Sequence, residues 1–200
     1  MTSHRNTKPH KRLERMDVAS FDDIRQFIAK CEQDPSLQVA GNIVRVIANT
    51  GLHSEDLKSL RITDINPDGQ YLEVTHTGNR SVEELTLPIF ERTHTALHDL
   101  HAMNPSSSLL LGDSPRVRVD STVSILKAIA PEFAREGRWL QSIRKSFELR
   151  LYSANIPARV VRYMLGQQSL AEAFSRSPHL SRVQMLQICR RALEHFVPEL

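Results

Sequence analysis

The chain has 200 residues, is 40% hydrophobic and carries a formal net charge of +3 at pH 7. This length and apolar content predict one domain with a substantial core. No uninterrupted apolar run is longer than three residues, as in Leu109 to Leu111, which is far too short to span a membrane, and the basic, polar N-terminus is unlike a secretory signal. We therefore expect a cytoplasmic protein with no membrane partner.

Charge is distributed unevenly along the chain. Residues 1–15 and 135–162 are rich in arginine and lysine, whereas residues 51–100 are acidic on balance. A basic arm and a basic C-terminal half are typical of nucleic-acid binders, but ordinary solvated helix faces produce the same counts. Cys31 and Cys189 lie in helix-like apolar patterns and are interpreted as reduced core thiols, with a disulfide left open.

The N-terminal third is predicted to be helical after a disordered basic arm at residues 1–15. Ser20 is a candidate N-cap, with Asp23 three residues later, for an amphipathic helix that runs to about Cys31. Gly51 is the predicted C-cap of a second helix, and Ser54 the predicted N-cap of a short third one. The second helix has the apolar stripe Leu37, Ala40, Ile43, Val44 and Ile47.

One β region follows, and the rest of the chain is predicted to be helical. Strong turn signals lie at residues 66–69 and 77–80. Apolar and polar residues alternate around residues 71–74 and 85–87, as they do in strands. Together these patterns indicate a three-stranded antiparallel sheet between about 61 and 88. A long polar loop is expected at 105–118. The predicted later helices cover about 89–103, 120–134, 141–154, 157–166 and 180–196.

Three segments carry a specific resemblance. Asn49 to Leu57 contains Thr-Gly-Leu running into a short helix, Gln141 to Phe147 contains Ile-Arg-Lys-Ser-Phe, and Leu165 to Ser169 begins with Leu-Gly. In order and spacing they resemble the three conserved boxes of the tyrosine recombinase (phage integrase) catalytic domain. The resemblance extends over nearly the whole chain from about Met16. It implies an α+β, mainly α, fold with a small three-stranded sheet.

The same resemblance implies a chemistry and the positions at which it should lie. In the family a tyrosine attacks a DNA phosphodiester, two arginines bind the non-bridging oxygens, a hairpin lysine protonates the leaving oxygen, and histidines assist. Of these groups only the second-box arginine, Arg144, is present. The other family-equivalent positions hold His53, Thr77, Gln141, Gln167 and, in place of the nucleophile, Arg176.

These replacements predict an inactive recombinase. Loss of one preorganised donor costs about 10²–10³ in rate, and loss of the nucleophile abolishes the covalent pathway. Since no tyrosine follows Tyr163, a neighbouring tyrosine cannot substitute. We expect no catalytic residue, and we interpret Tyr152 and Tyr163 as core or surface residues.

Several positions have both a binding and a structural interpretation. Arg144 is suited to a DNA phosphate or to an ion pair with Glu148 or Asp56. Arg176 is either a phosphate clamp or an exposed loop arginine. His53 can donate to phosphate when protonated or be inert, and the glutamines can donate but cannot act as acid or base. The candidate DNA-binding residues are Arg144, Lys145, Arg176, Arg80 and His53.

His94, His98 and His101 lie on one predicted helix face with spacing that can hold a metal. The resemblance calls for none, so we interpret them as a solvated face and expect no metal and no cofactor.

The predicted organisation is a basic arm (1–15), a catalytic-like domain (16–178) and an amphipathic C-terminal helix (179–200). In the recombinases this last helix often docks on a neighbouring subunit, which would make the protein a homo-oligomer or the partner of a recombinase. It can equally pack on its own core.

We therefore expect a catalytically inactive, recombinase-like protein that binds DNA, weakly or non-specifically by itself, as an accessory or regulatory factor. Three alternatives remain: an interaction module that ignores DNA, an enzyme with a rearranged site that uses Ser175, Ser177 or another subunit's tyrosine, and a decayed mobile-element remnant.

Overall fold

The computed structural model describes residues 18–75, 84–133, 138–196 and 199–200, which are mainly helical. Within these ranges no helix is both long and apolar enough to cross a membrane. The helices are α1 (Phe21–Gln33), α2 (Gln38–Thr50), α3 (Ser54–Ser59), α4 (Glu91–Ala102), α5 (Pro115–Ile129), α6 (Trp139–Ser153), α7 (Ala158–Met164), α8 (Leu170–Ala173) and α9 (Arg182–Phe196), and the strands are β1 (Tyr71–Thr75) and β2 (Glu84–Pro88).

Helix α1 begins at the residue that the sequence predicts. The Ser20 hydroxyl accepts a hydrogen bond from the Asp23 N–H at 3.1 Å, which satisfies one of the unpaired donors of the first turn. Asp34 ends the helix and then accepts from the Ser36 N–H at 2.9 Å. The helix end predicted at about Cys31 is therefore confirmed, two residues further along the chain.

Helix α2 lies at the centre of the domain, in contact with α1, α4, α5 and α6. Such a position requires an apolar surface on most sides, and Ile43, Val44, Val46 and Ile47 are all fully buried. Gly41 permits a close approach to α1, because a methyl group at this residue would lie 2.6 Å from Cys31 Cβ.

The predicted three-stranded sheet has two strands among the described residues. β1 and β2 pair antiparallel, with Tyr71 opposite Pro88 and Thr75 opposite Glu84. The expected third strand is reduced to a single bridge between Ile65 and Leu72, because residues 62–64 form a 3₁₀ turn instead of extending. The predicted turn at 77–80 lies outside the described residues.

The predicted long polar loop is shorter and less polar than expected. Helix α5 begins at Pro115, a residue that suits the first helical position because its missing N–H would be unpaired there in any case. Leu110 and Leu111 are fully buried, and the Leu110 N–H donates to Leu60 O at 2.8 Å. The loop is therefore anchored to the core.

Both cysteines are buried thiols and are not joined by a disulfide. Burial raises the pKa of Cys31 to about 11 and that of Cys189 to about 12. The interpretation as reduced core thiols is confirmed.

Candidate nucleic-acid interface

The three sequence segments that resemble recombinase boxes meet at Gly51. This residue ends α2 with φ +67° and donates its N–H to Ile47 O at 2.8 Å. A methyl group at Gly51 would lie 2.5 Å from Phe147 Cδ1 and 3.1 Å from Leu165 Cδ2. Only glycine fits both the left-handed backbone and this space. We call the contact of Gly51, Phe147 and Leu165 the box junction.

Arg144 lies on α6 beside the box junction. Its Nη2 donates to the main-chain oxygen of Leu165 at 2.7 Å, and the side chain is half-buried. This carbonyl is a partner that sequence reasoning did not consider, since nothing local indicates it. The contact fixes the guanidinium against the turn of the third box.

His53 has a structural role that corrects the sequence-based prediction. Its Nδ1 accepts the Glu55 N–H at 3.3 Å, so His53, and not Ser54, is the N-cap of α3. The imidazole of His53, which the resemblance places at the position of an arginine, is exposed. The contact requires an unprotonated Nδ1, which leaves Nε2 as the donor of a neutral ring.

The two glutamines that the resemblance places at the histidine positions, Gln141 and Gln167, are exposed. Gln141 lies in the first turn of α6, and Gln167 follows Gly166, which has φ +67°. The Gln167 N–H donates to Arg162 O at 2.8 Å and closes the end of α7. Both carboxamides can donate to a phosphate, but neither transfers a proton at neutral pH.

Arg176 lies in the turn after α8 and is exposed. Helix α8 packs on α7, whose Arg159 and Arg162 are also exposed, and Lys145 on α6 is half-buried. The sequence contains the signal for α8, which was missed: Ser169 and Glu172 form a capping box. Ser175 and Ser177 belong to the same turn and donate their N–H groups to Glu172 O and Phe174 O.

Arg116 was not identified from the sequence. It is exposed in the first turn of α5, and α5 packs against α3 of the first box. The hydrogen bond from Lys58, at 2.7 Å, is the main cause of the lowered pKa of Glu55 on α3, and the charge of Arg116 is the smallest one. Thr77 and Arg80, the candidates on the hairpin, lie outside the described residues.

The tyrosines have the core and surface positions that the sequence indicates. Tyr163 is 2% exposed and donates its hydroxyl to Thr86 O at 2.6 Å, and burial raises its pKa. A neutral, buried phenol that already donates its proton is a poor nucleophile. Tyr152 is exposed near the end of α6, and Tyr71 is half-buried on β1.

The histidine face of α4 brings two rings together. The Nε2 atoms of His94 and His98 lie 3.1 Å apart. Burial, and then the neighbouring His94 and His101, lower the pKa of His98. In the part of the chain that the structure describes, no three His, Cys, Asp or Glu side chains are grouped as a metal site requires.

Helix α9 packs on β2 of its own chain. Cys189 and Leu193 are buried, and Arg190 Nη1 donates to Gln70 O at 2.9 Å and Ile89 O at 2.8 Å. Val183 is 63% exposed on the same helix. The sequence left the position of this helix open, and in the single chain its apolar face covers the sheet.

Comparison with known proteins identifies the fold through structure alone. No protein-family model matches the chain, and no curated protein matches it. A structure of the Tn1549 transposon integrase in complex with transposon right end DNA is 14% identical, with a TM-score of 0.62 over 94% of this chain and 69% of that one.

A crystal structure of XerA recombinase is 21% identical, with a TM-score of 0.59 over 96% of this chain and 68% of that one. At these identities the likeness concerns the fold. Together with the box junction, it shows that this protein has the fold of a tyrosine-recombinase-like catalytic domain.

Proposed function

We propose that this protein is a catalytically inactive, tyrosine-recombinase-like DNA-binding protein of the cytoplasm, accessory or regulatory in DNA recombination or integration. The observation that carries the proposal is the combination of an intact box junction with replaced reactive groups. Gly51, Phe147 and Leu165 bring the three box-like segments into contact, while Gln141, Gln167 and Arg176 stand where the resemblance places the acid–base groups and the nucleophile. A surface of this kind retains hydrogen-bond donors for phosphate without the means to cut it.

Charge supports DNA as the ligand. Arg159, Arg162 and Arg176 are exposed on α7 and in the turn after α8, and Arg144 and Lys145 lie on the neighbouring α6. Arginine suits phosphate because its planar donors bind two oxygens at once. The Tn1549 integrase structures that share this fold were obtained with DNA.

The first experiment is fluorescence anisotropy of a labelled random DNA duplex, titrated with the protein at three salt concentrations. We expect micromolar binding that weakens steeply with salt, because each neutralised phosphate releases counterions. Arg176→Ala should weaken binding. In a plot of the logarithm of the association constant against the logarithm of the salt concentration, it should also reduce the size of the slope by about 1.

Arg25→Ala is the matched control. It removes the same charge from an exposed position on α1, where Arg25 lies 3.6 Å from Asp22. Equal effects of both substitutions would show that only net charge matters and would reject the proposed role of Arg176. The absence of binding even at low salt would reject DNA binding and favour a protein-interaction module.

The inactivity is tested separately on a nicked duplex that traps covalent intermediates. We expect no protein–DNA adduct on a denaturing gel, since no tyrosine lies at the nucleophile position. A covalent adduct that survives denaturation would contradict this part of the proposal.

A further inference from the structure

Two imidazoles lie together on the outer side of α4. His94 and His98 are one helical turn apart, their Nε2 atoms are 3.1 Å from each other, and their ring centroids are 4.4 Å apart. His94 is half-buried and His98 is exposed. The other side of α4 is buried in the core through Ala96, Leu97 and Leu100, so the backbone that carries both rings is held in place. We call His94 and His98 the histidine pair.

The spacing of the histidine pair suits two bonds to one metal ion. Imidazole nitrogens lie about 2.0–2.1 Å from a bound Zn²⁺ ion. At that bond length, the 3.1 Å between the two Nε2 atoms corresponds to an N–metal–N angle of roughly 95–102°. This angle falls between the right angle of square-planar or octahedral ions and the wider angle of tetrahedral ones. The two nitrogens can therefore occupy neighbouring positions around one ion.

The surroundings of the histidine pair leave room for a cation and favour its charge. Gly69 lies in the turn before β1, and a methyl group on it would lie 2.9 Å from His94 Nε2. Because the residue is glycine, that space beside the nitrogen stays open. Helix α4 carries Glu91 and Asp99 against one arginine, and residues 51–100 as a whole are acidic on balance. A positive ion is therefore placed among compensating charges.

We propose that the histidine pair binds a divalent transition-metal ion of the kind that imidazole prefers, namely Zn²⁺, Ni²⁺ or Cu²⁺. The sequence alone predicted only a solvated histidine face here. Zinc centres with a structural or catalytic role take three or four protein ligands, and the residues that the structure describes contain no group of three. The site is therefore an open chelate, in which water holds the remaining positions. It uses none of the candidate DNA-binding residues, so the proposal is independent of DNA binding.

Metal binding and a simple hydrogen bond differ in where the ring protons lie. In the ion-free protein, one Nε2 of the histidine pair donates to the other across the 3.1 Å separation. An ion requires the lone pairs of both Nε2 atoms, so the donating ring moves its proton to Nδ1. Two neutral rings release no net proton in this exchange. The change of tautomer therefore distinguishes the metal-bound state from the hydrogen-bonded one.

The first test is isothermal titration calorimetry of the full-length protein with Zn²⁺ at neutral pH. We expect a saturable site whose affinity falls by at least about ten-fold in His94→Gln and in His98→Gln, since even changes behind the ligands cost about 10–100-fold. The double variant should bind little more weakly than either single variant, because one remaining imidazole is no longer a chelate.

His179→Gln is the matched control. It removes an exposed imidazole between α8 and α9, outside the histidine pair, and should leave the affinity unchanged. If it weakens binding as much as His98→Gln does, histidines bind Zn²⁺ without regard to position and the proposal is overturned. The absence of saturable binding, or equal binding by the double variant and the unchanged protein, would also overturn it.

A second measurement uses the unchanged protein and so does not depend on any variant being folded. Long-range proton–nitrogen correlation spectra report the tautomer of each imidazole. On addition of Zn²⁺, the rings of His94 and His98 should both take the Nδ1–H form with a shifted Nε2 signal, while the ring of His179 should not change. If the signals of the histidine pair stay the same at saturating Zn²⁺, the proposal is wrong.

Discussion

Replacing Gly51 by alanine tests whether the box junction is packed as the structure shows. Gly51 lies at φ +67°, where an L-residue costs about 1–2 kcal/mol. The new methyl group would also lie 2.5 Å from Phe147 Cδ1, a ring that is fully buried, and overpacking of a filled core costs about 1–3 kcal/mol. We therefore expect Gly51→Ala to lower the free energy of unfolding by about 2–5 kcal/mol.

Gly69→Ala separates the cost of the left-handed backbone from the cost of overpacking. Gly69 has nearly the same backbone, φ +65°, but its new methyl group would meet the tip of His94, 2.9 Å away at Nε2, in a half-buried side chain that can turn aside. Only the backbone cost of about 1–2 kcal/mol should remain.

Urea unfolding, with linear extrapolation to water, measures both variants. If Gly51→Ala costs no more than Gly69→Ala, then Phe147 does not pack against Gly51 and the reasoning about the box junction fails. Replacing Phe147 by leucine in the Gly51→Ala background should recover part of the loss, since it removes ring atoms that the methyl group would meet.

The remaining predictions concern individual side chains. The folded-state pKa of His98 is lowered by burial and by neighbouring histidines, so below pH 6.5, its ordinary value, the unfolded state binds more protons and stability falls as the pH decreases. In His98→Gln the free energy of unfolding, measured in urea, should fall less steeply as the pH decreases below 6.5. An unchanged dependence on pH would contradict the lowered pKa of His98. Tyr163→Phe leaves Thr86 O without its donor and should lower the free energy of unfolding by about 1–3 kcal/mol in the same assay, while a neutral effect would mean that water replaces the hydroxyl. Cys31 and Cys189 should resist alkylation at pH 8 in the native protein and react in urea, because burial raises both pKa values, to about 11 and about 12; rapid native labelling, detected by mass spectrometry, would refute this.

Local chemistry determined the elements that sequence reasoning predicted well. Ser20 begins α1 because its hydroxyl reaches an N–H three residues later, and Gly51 ends α2 because glycine tolerates the left-handed backbone. The periodic apolar stripe of α2 placed it in the core. These interactions lie within a few residues of one another, so the sequence contains them directly.

Three local predictions failed at the ends of short elements. His53, and not Ser54, is the N-cap of α3. A 3₁₀ turn at residues 62–64 left only one bridge of the third strand. Pro115 began α5 within the expected loop. In each case a short segment had two acceptable local structures, and packing selected one.

The sequence by itself determined the fold class, through box order and spacing, and it predicted, through residue identity, the replaced reactive groups on which the proposed inactivity rests. Tertiary structure alone decided that Gly51, Phe147 and Leu165 touch, that Arg144 binds a carbonyl of the third box, and that Asn49 holds Leu200. These partners lie far apart along the chain. Their contacts depend on how all the helices pack around α2, so no local pattern encodes them.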